Sequence, residues 1–186
     1  MGGADKVYEW LTTLPKGVVK SGRIIDELEK RIILETDLDE LRTLRELLAH
    51  EYRGRGRHSE AEALYLKLHS DQPNDPLPLI SLAGAKVYSQ DHPEEAMPII
   101  DKAIEIATRS GNFRRYALGT KARVALALKG YEIVEDVLKQ LMNLKFVDGN
   151  IDCGVERDFF DQLPPGAIDE NVAKDYDRFA KGRRSI

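Results

Sequence analysis

The chain has 186 residues, 42% of them hydrophobic and 32% charged, with a formal net charge of −4. That length suits one domain or a compact domain with an appendage, and the balance is too apolar for general disorder and carries no global basic excess to favour nucleic acid. Cys153 is the single cysteine, which excludes an internal disulfide; MGGADKVYEWLTTLPKG is not a secretory signal, and apolar runs such as 124–128 are too short to cross a bilayer, so a cytoplasmic protein off the membrane is expected.

Two helices are expected first, at about 5–14 and 23–34, separated by Pro15 and Gly17. Asp37, with Glu40 three residues on, reads as a capping box that opens a third. Leu41, Leu44, Leu47, Leu48 and Tyr52 then share one helical face. In YRGRGRHSEAEALYLKL, residues 52–68, Gly54 and Gly56 mark a bend, and Arg53, Arg55 and Arg57 ride on its exposed corner, where cations near a helix C-terminus are mildly favourable. Ala61, Leu64, Tyr65 and Leu68 carry the next helix, which DQPNDP at 71–76 breaks.

Leu79, Ile80, Ala83, Val87 and Tyr88 form a further helix. Pro93 suits a first helical position, and Glu94 and Glu95 suit the positive end of the helix dipole. Ile99, Ile100, Ala103, Ile104 and Ala107 follow, then a break at 110–112. Tyr116, Leu118, Ala122, Ala125 and Leu126 make one more helix; after Gly130 come Ile133, Val134, Val137, Leu138 and Leu141. No stretch reads as a strand pair. Residues 148–177 hold nine acids against Arg157 and Lys174, and Val172, Tyr176, Phe179 and Ala180 give a short terminal helix closed by Gly182 and basic residues.

The middle of the chain repeats. Ala96, Ile100 and Ala103 stand 35 positions after Ala61, Tyr65 and Leu68; Ala83-Gly84 and Val87 stand 35 after Leu48-Ala49 and Tyr52. A third unit, with Lys121-Ala122, Ala125, Val134, Leu138 and Leu141, aligns if about three residues are added near 109–113. Small residues let two helices approach, an aromatic fills the next layer, and a lone hairpin leaves a face for its neighbour.

Over residues 42–143 this pattern resembles the tetratricopeptide repeat family. The first unit has Leu48, Ala49, Tyr52, Gly56, Ala61, Tyr65 and Pro73 in the family's places, with Leu68 where a small residue is usual. The second keeps Gly84, Ala96 and Ala103 but has Asp91 at the bend and no closing proline; the third has Val134 for the small residue. The resemblance implies an all-α fold of antiparallel helix hairpins stacked as a right-handed superhelix, an α-α solenoid. Residues 1–36 would be an N-terminal helical cap, 37–145 the repeats (about 42–75, 77–110 and 115–143), and 146–186 an acidic segment covering the other end in part, through Phe159, Phe160 and Leu163.

In such a stack the first helix of each hairpin lines the concave face. That register implies an inner surface of Glu46, His50, Arg53, Ser81, Ala85, Tyr88, Ser89, Tyr116, Gly119 and Arg123, able to hold an extended protein or peptide partner, with Arg53 or Arg123 taking a carboxylate. The Lys and Asn clamp by which some family members grip a terminal carboxylate is not present. Acids of the tail could instead meet Arg53 or Arg123 and occupy the groove.

Catalytic and metal motifs are lacking, so a non-enzymatic scaffold without a cofactor is expected. In DGNIDCGVERD, Asp148, Asn150 and Asp152 fit a calcium loop, but the required glycine and glutamate positions hold Cys153 and Phe159. His50-Glu51 begins a zinc-protease motif whose second histidine position is Gly54, and His58 and His69 are not one helical turn apart. Cys153 has only Arg157 nearby to lower its pKa, which suits an inert thiol. Two alternatives stay open. One is nucleic-acid binding through the arginine corners, joined by Arg114, Arg115, Lys121 and Arg123. The other is a homo-oligomer formed through a heptad seam of Leu34, Leu38, Leu41 and Leu48, interrupted by Arg45.

Overall fold

The computed structural model describes residues 2–15, 23–89, 92–144, 155 and 157–183. Among the described residues the chain is all-helical, with no strand. It divides into two compact units, Met1–Pro73 and Asn74–Ile186.

The first unit holds α1 (Gly3–Thr13), α2 (Ile24–Leu34), α3 (Leu38–Gly54) and α4 (His58–Asp71). α3 is its axis, with α1, α2 and α4 all packed on it. Leu44, Leu48, Ala49 and Tyr52 of α3 are buried, together with Val7, Ile24, Ile25 and Leu28 from the first two helices and Ala61, Tyr65 and Leu68 from α4. Ala49 and Ala61 are both fully buried, consistent with small residues where the two helices pack.

The start of α3 differs from the expected reciprocal box. Asp37 Oδ1 accepts the N–H groups of Asp39 and Glu40, both at 3.0 Å, but the Glu40 carboxylate turns away. It meets Lys6 of α1 at 2.8 Å and Arg31 of α2 at 3.2 Å. The Asp37 N–H goes instead to Glu35 Oε1, at 3.0 Å. These backbone hydrogen bonds, from Asp37 first and also from Thr36, hold the Glu35 pKa below the usual carboxylate value. Glycine is needed at position 3 for a related reason. A Cβ there would lie 2.7 Å from Asp39 Cβ and 2.7 Å from the Glu40 nitrogen, so α1 seats its first turn against the first turn of α3.

α3 ends in a Schellman turn: Arg57 N–H reaches Tyr52 O at 2.9 Å, Gly56 N–H reaches Arg53 O at 3.1 Å, and Gly56 takes φ +73°. That left-handed conformation is the physical content of the glycine in the bend.

The second unit holds α5 (Leu77–Ser89), a single 3-10 turn at Pro93–Glu95 running into α6 (Ala96–Ser110), α7 (Arg114–Ala127), α8 (Tyr131–Asn143), the short α9 (Arg157–Asp161) and α10 (Glu170–Arg183). α6 packs on α5 and α7, α5 also packs on α7, α8 packs on α7, and α10 packs on α8. Between α6 and α7, Gly111 (φ +74°) and Phe113 (φ +61°) make the expected break. Between α7 and α8 the glycine expected at the turn sits one residue late. Lys129 occupies the left-handed position at φ +58°, while Gly130 N–H bonds Ala125 O at 2.8 Å.

Leu118, Ala122 and Ala125 of α7 and Val134, Val137, Leu138 and Leu141 of α8 share one cluster with Val155, Phe159, Val172 and Tyr176. Phe160, Leu163 and Phe179 pack against its edge. The acidic segment therefore folds onto α8 by its apolar residues. Tyr176 Oη accepts the Val155 N–H at 2.9 Å, and Asp169 donates its N–H to Glu135 Oε2 at 3.1 Å. Gly182 does not close the last helix, which runs on to Arg183.

Gly84 departs from the expectation that its smallness admits a neighbouring helix. Among the described residues a Cβ at this position would meet no atom within 4 Å, whereas Ala83 beside it is fully buried.

Candidate functional site

In the first unit, Glu46, His50 and Arg53 follow one another on a single face of α3, at helical spacings of four and three. Glu46 accepts an ion-paired hydrogen bond from Arg42 Nε at 2.9 Å. The rings of His50 and of Tyr65 in α4 meet in a T-shaped arrangement, with centroids 6.1 Å apart. Partial burial, and secondarily the positive charge of Arg53, hold the His50 pKa below the usual histidine value, so this face carries a neutral imidazole at neutral pH. Arg53 itself is half-buried.

The adjoining arginine corner is partly occupied by its own fold. The Arg57 guanidinium lies 4.1 Å above the Tyr52 ring and pairs with Glu60 at 2.8 Å. Below it, the Tyr52 hydroxyl donates to Glu29 of α2. Burial first, then this hydrogen bond, push the Tyr52 pKa up to about 12. Arg55 is exposed. The basic residues expected to extend such a patch are likewise engaged. Lys121 pairs with Asp101 at 2.7 Å, and Arg115 reaches Leu144 O at 3.4 Å with its guanidinium 5.9 Å from the Phe179 ring centre. Arg114 is exposed.

In the second unit the predicted residues lie on α5 and α7, which pack on one another. Ser81 and Ala85 are buried, and so is Gly119, which places their side of each helix inside rather than toward a partner. Ser89 is half-buried and donates its hydroxyl to Lys86 O at 3.1 Å. Tyr116 and Arg123 are half-buried, and Tyr88 is 68% exposed, the most open of the group. Chemically, Tyr88 presents its phenol to solvent, while Tyr116 and Arg123 are only partly accessible.

The acids at the start and middle of α10 pair locally: Glu170 with Lys174 at 3.1 Å and Asp175 with Arg178 at 3.2 Å, while Asp169 Oδ1 caps the helix through the Asn171 N–H at 2.7 Å. The calcium-loop residues Asp148, Asn150 and Asp152, together with Cys153, Gly17 and Asp91, lie outside the described residues. Among the described residues no group of three or more His, Cys, Asp or Glu side chains could hold a metal ion, and no helix is long and apolar enough to cross a membrane.

The heptad seam does not form. Residues 35–37 separate α2 from α3, and Leu48 is buried in the core while Leu34 and Leu38 are exposed. What periodicity missed is the degree of that exposure at the α2–α3 elbow: Ile33 81%, Leu34 78% and Leu38 79%. The signal was present as the run Ile32-Ile33-Leu34 followed by Leu38, more apolar residues than one buried stripe of a short helix can use. No protein-family model matches the chain, and no curated protein matches it significantly.

Proposed function

We propose that the chain is a non-enzymatic helical-repeat scaffold, similar to tetratricopeptide repeat proteins, that binds a protein or peptide partner through helix faces. The observation that carries this reading is burial that recurs at the 35-residue offset. Leu48 and Ala83, Ala61 and Ala96, Tyr65 and Ile100, and Leu68 and Ala103 are all buried, four pairs of equivalent positions in two hairpins. Such recurrence is required of a repeat, because each hairpin must bury one face within itself. It supports two hairpins of one kind and leaves the outer halves of the same helices to present side chains.

Two rows supply the recognition chemistry in this reading: Glu46, His50 and Arg53 in the first unit, and Tyr88, Tyr116 and Arg123 in the second. Arginine and tyrosine suit an extended peptide with acidic or carboxylate groups, since guanidinium binds carboxylate in a bidentate manner and phenol adds contact area at low entropic cost. The basic corners support nucleic-acid binding less well, because Arg57, Arg115 and Lys121 are engaged within the fold. Affinity capture with the full chain, repeated with Arg53→Glu, Tyr88→Ala and Arg123→Glu, tests the assignment. The expected result is loss of the captured protein with at least one variant that melts like the wild type. Capture unchanged by all three removes both rows from the site.

A further inference from the structure

We infer that the elbow between α2 and α3 is a self-association surface for a second copy of this chain, with Ile33, Leu34 and Leu38 at its centre and Lys30 and Asp39 as reciprocal charges.

Three large aliphatic side chains, each about four-fifths exposed, stand within six residues of one another at this elbow. The chain between Leu34 and Leu38 can span no more than roughly 14 Å, so all three belong to one corner of the first unit. Single exposed leucines are ordinary, but a cluster of this kind marks a contact surface. They are also not needed by the unit's own core, which Leu28, Leu44 and Leu48 fill.

The charges around the corner indicate what covers it. Arg31 is taken up by Glu35 at 2.9 Å and Glu40 at 3.2 Å. Glu35 also accepts the N–H groups of Thr36 and Asp37, and Asp37 caps α3. Two exposed charges of opposite sign stand beside the apolar residues, one of them paired only within its own helix. Lys30 precedes Leu34 by one helical turn, with its side chain 67% exposed and paired only along its own helix to Glu27. Asp39 follows Leu38 and is exposed, and its carboxylate makes no hydrogen bond or ion pair among the described residues.

An apolar centre flanked by one cation and one anion is self-complementary. In a twofold pairing each Lys30 can face Asp39 of the other copy, and the contact is made twice. An anionic membrane or an acidic peptide would meet Asp39 as a like charge, and a basic peptide would meet Lys30 in the same way. Three side chains per copy make a small interface, at or below about 1,200 Å² in total, so association should depend on concentration. This inference does not rest on the groove reading, since Glu46, His50, Arg53, Tyr88, Tyr116 and Arg123 take no part in it.

Sedimentation velocity of the full chain over a hundredfold concentration range tests it, alongside Leu34→Glu, Lys30→Glu, Asp39→Lys and the double variant K30E/D39K. Circular dichroism verifies that all are equally helical. The wild type should shift from monomer to dimer as concentration rises. Leu34→Glu should stay monomeric, each single charge swap should weaken the dimer about tenfold or more, and the double swap should recover most of that loss. A wild type that is monomeric throughout, a dimer that survives Leu34→Glu, or a double swap as weak as the singles would overturn the inference.

Discussion

Lys6 Nζ of α1 lies 2.8 Å from Glu40 Oε1 of α3, and the carboxylate it meets is almost wholly buried. Arg31 of α2 takes the other oxygen, so one acid near the start of α3 ties together three helices. Both cations keep a large share of their side chains in water, and that hydration limits how much the pairs contribute to stability.

Glu40→Gln should lower the unfolding free energy by about 1–2 kcal/mol. That is less than the usual cost of breaking a buried pair, because the freed Lys6 and Arg31 can hydrate. Lys6→Met should also destabilise, since it leaves the buried carboxylate with Arg31 alone. Urea denaturation followed by helicity measures both, and a Glu40→Gln midpoint equal to the wild type would show that the ion pairs contribute nothing net.

Tyr52 should make the first unit sensitive to alkali. Its pKa is raised from 10.0 to about 12, so its neutral form is favoured by folding. The stability this contributes is complete below pH 10 and is lost as pH climbs from 10 toward 12. The Lys6 pKa is also raised, chiefly by its hydrogen bond to Glu40, and it pushes in the same direction. Absorbance at the tyrosinate band should show one tyrosine titrating near pH 12 and missing in Tyr52→Phe. The variant should be weaker by roughly 1–2 kcal/mol at neutral pH, through its lost hydrogen bond to Glu29, and should decline less between pH 10 and 12.

Two glycines should respond in opposite directions to alanine. Gly3→Ala places a methyl 2.7 Å from Asp39 Cβ and from a backbone nitrogen, so α1 must shift; a loss of about 1–3 kcal/mol is expected. Gly84→Ala meets nothing within 4 Å inside α5 and should stabilise by about 0.5–1 kcal/mol through helix propensity. Paired thermal melts decide this, and the same sign for both would contradict the packing described.

Lys129→Gly should stabilise the second unit by about 0.5–1 kcal/mol, because an exposed lysine now holds the left-handed position of the α7–α8 turn at φ +58°. Gly56→Ala, at φ +73° in the equivalent turn of the first unit, should cost about as much or more. Denaturant midpoints on either side of the wild type, higher for Lys129→Gly and lower for Gly56→Ala, are the expected pattern.

The breaks at Gly56, 71–76 and 110–112, the Asp37 cap and the apolar face of α3 could be read from the chain because each is a local matter: φ preference, side chain to nearby backbone, or 3.6-residue spacing. The candidate faces could be read only in part. Spacing put Ser81 and Gly119 on the same stripes as Tyr88 and Arg123, but a stripe does not say which of its edges a neighbour covers, and both Ser81 and Gly119 are buried.

The order of helices and turns, and the recurring small and large positions 35 apart, were therefore determined by sequence alone, since neighbours along the chain dictate them. Only the tertiary structure decided that Glu40 serves Lys6 and Arg31 rather than its own cap. It also decided that Glu29 serves Tyr52, that Glu135 holds the Asp169 N–H, that Gly84 has room to spare, and that the acidic segment spends its aromatics on α8. The reason is common to all of these. A contact between residues distant in the chain depends on which faces meet, and the best hydrogen-bonding or packing partner in space overrides the nearest one in the chain.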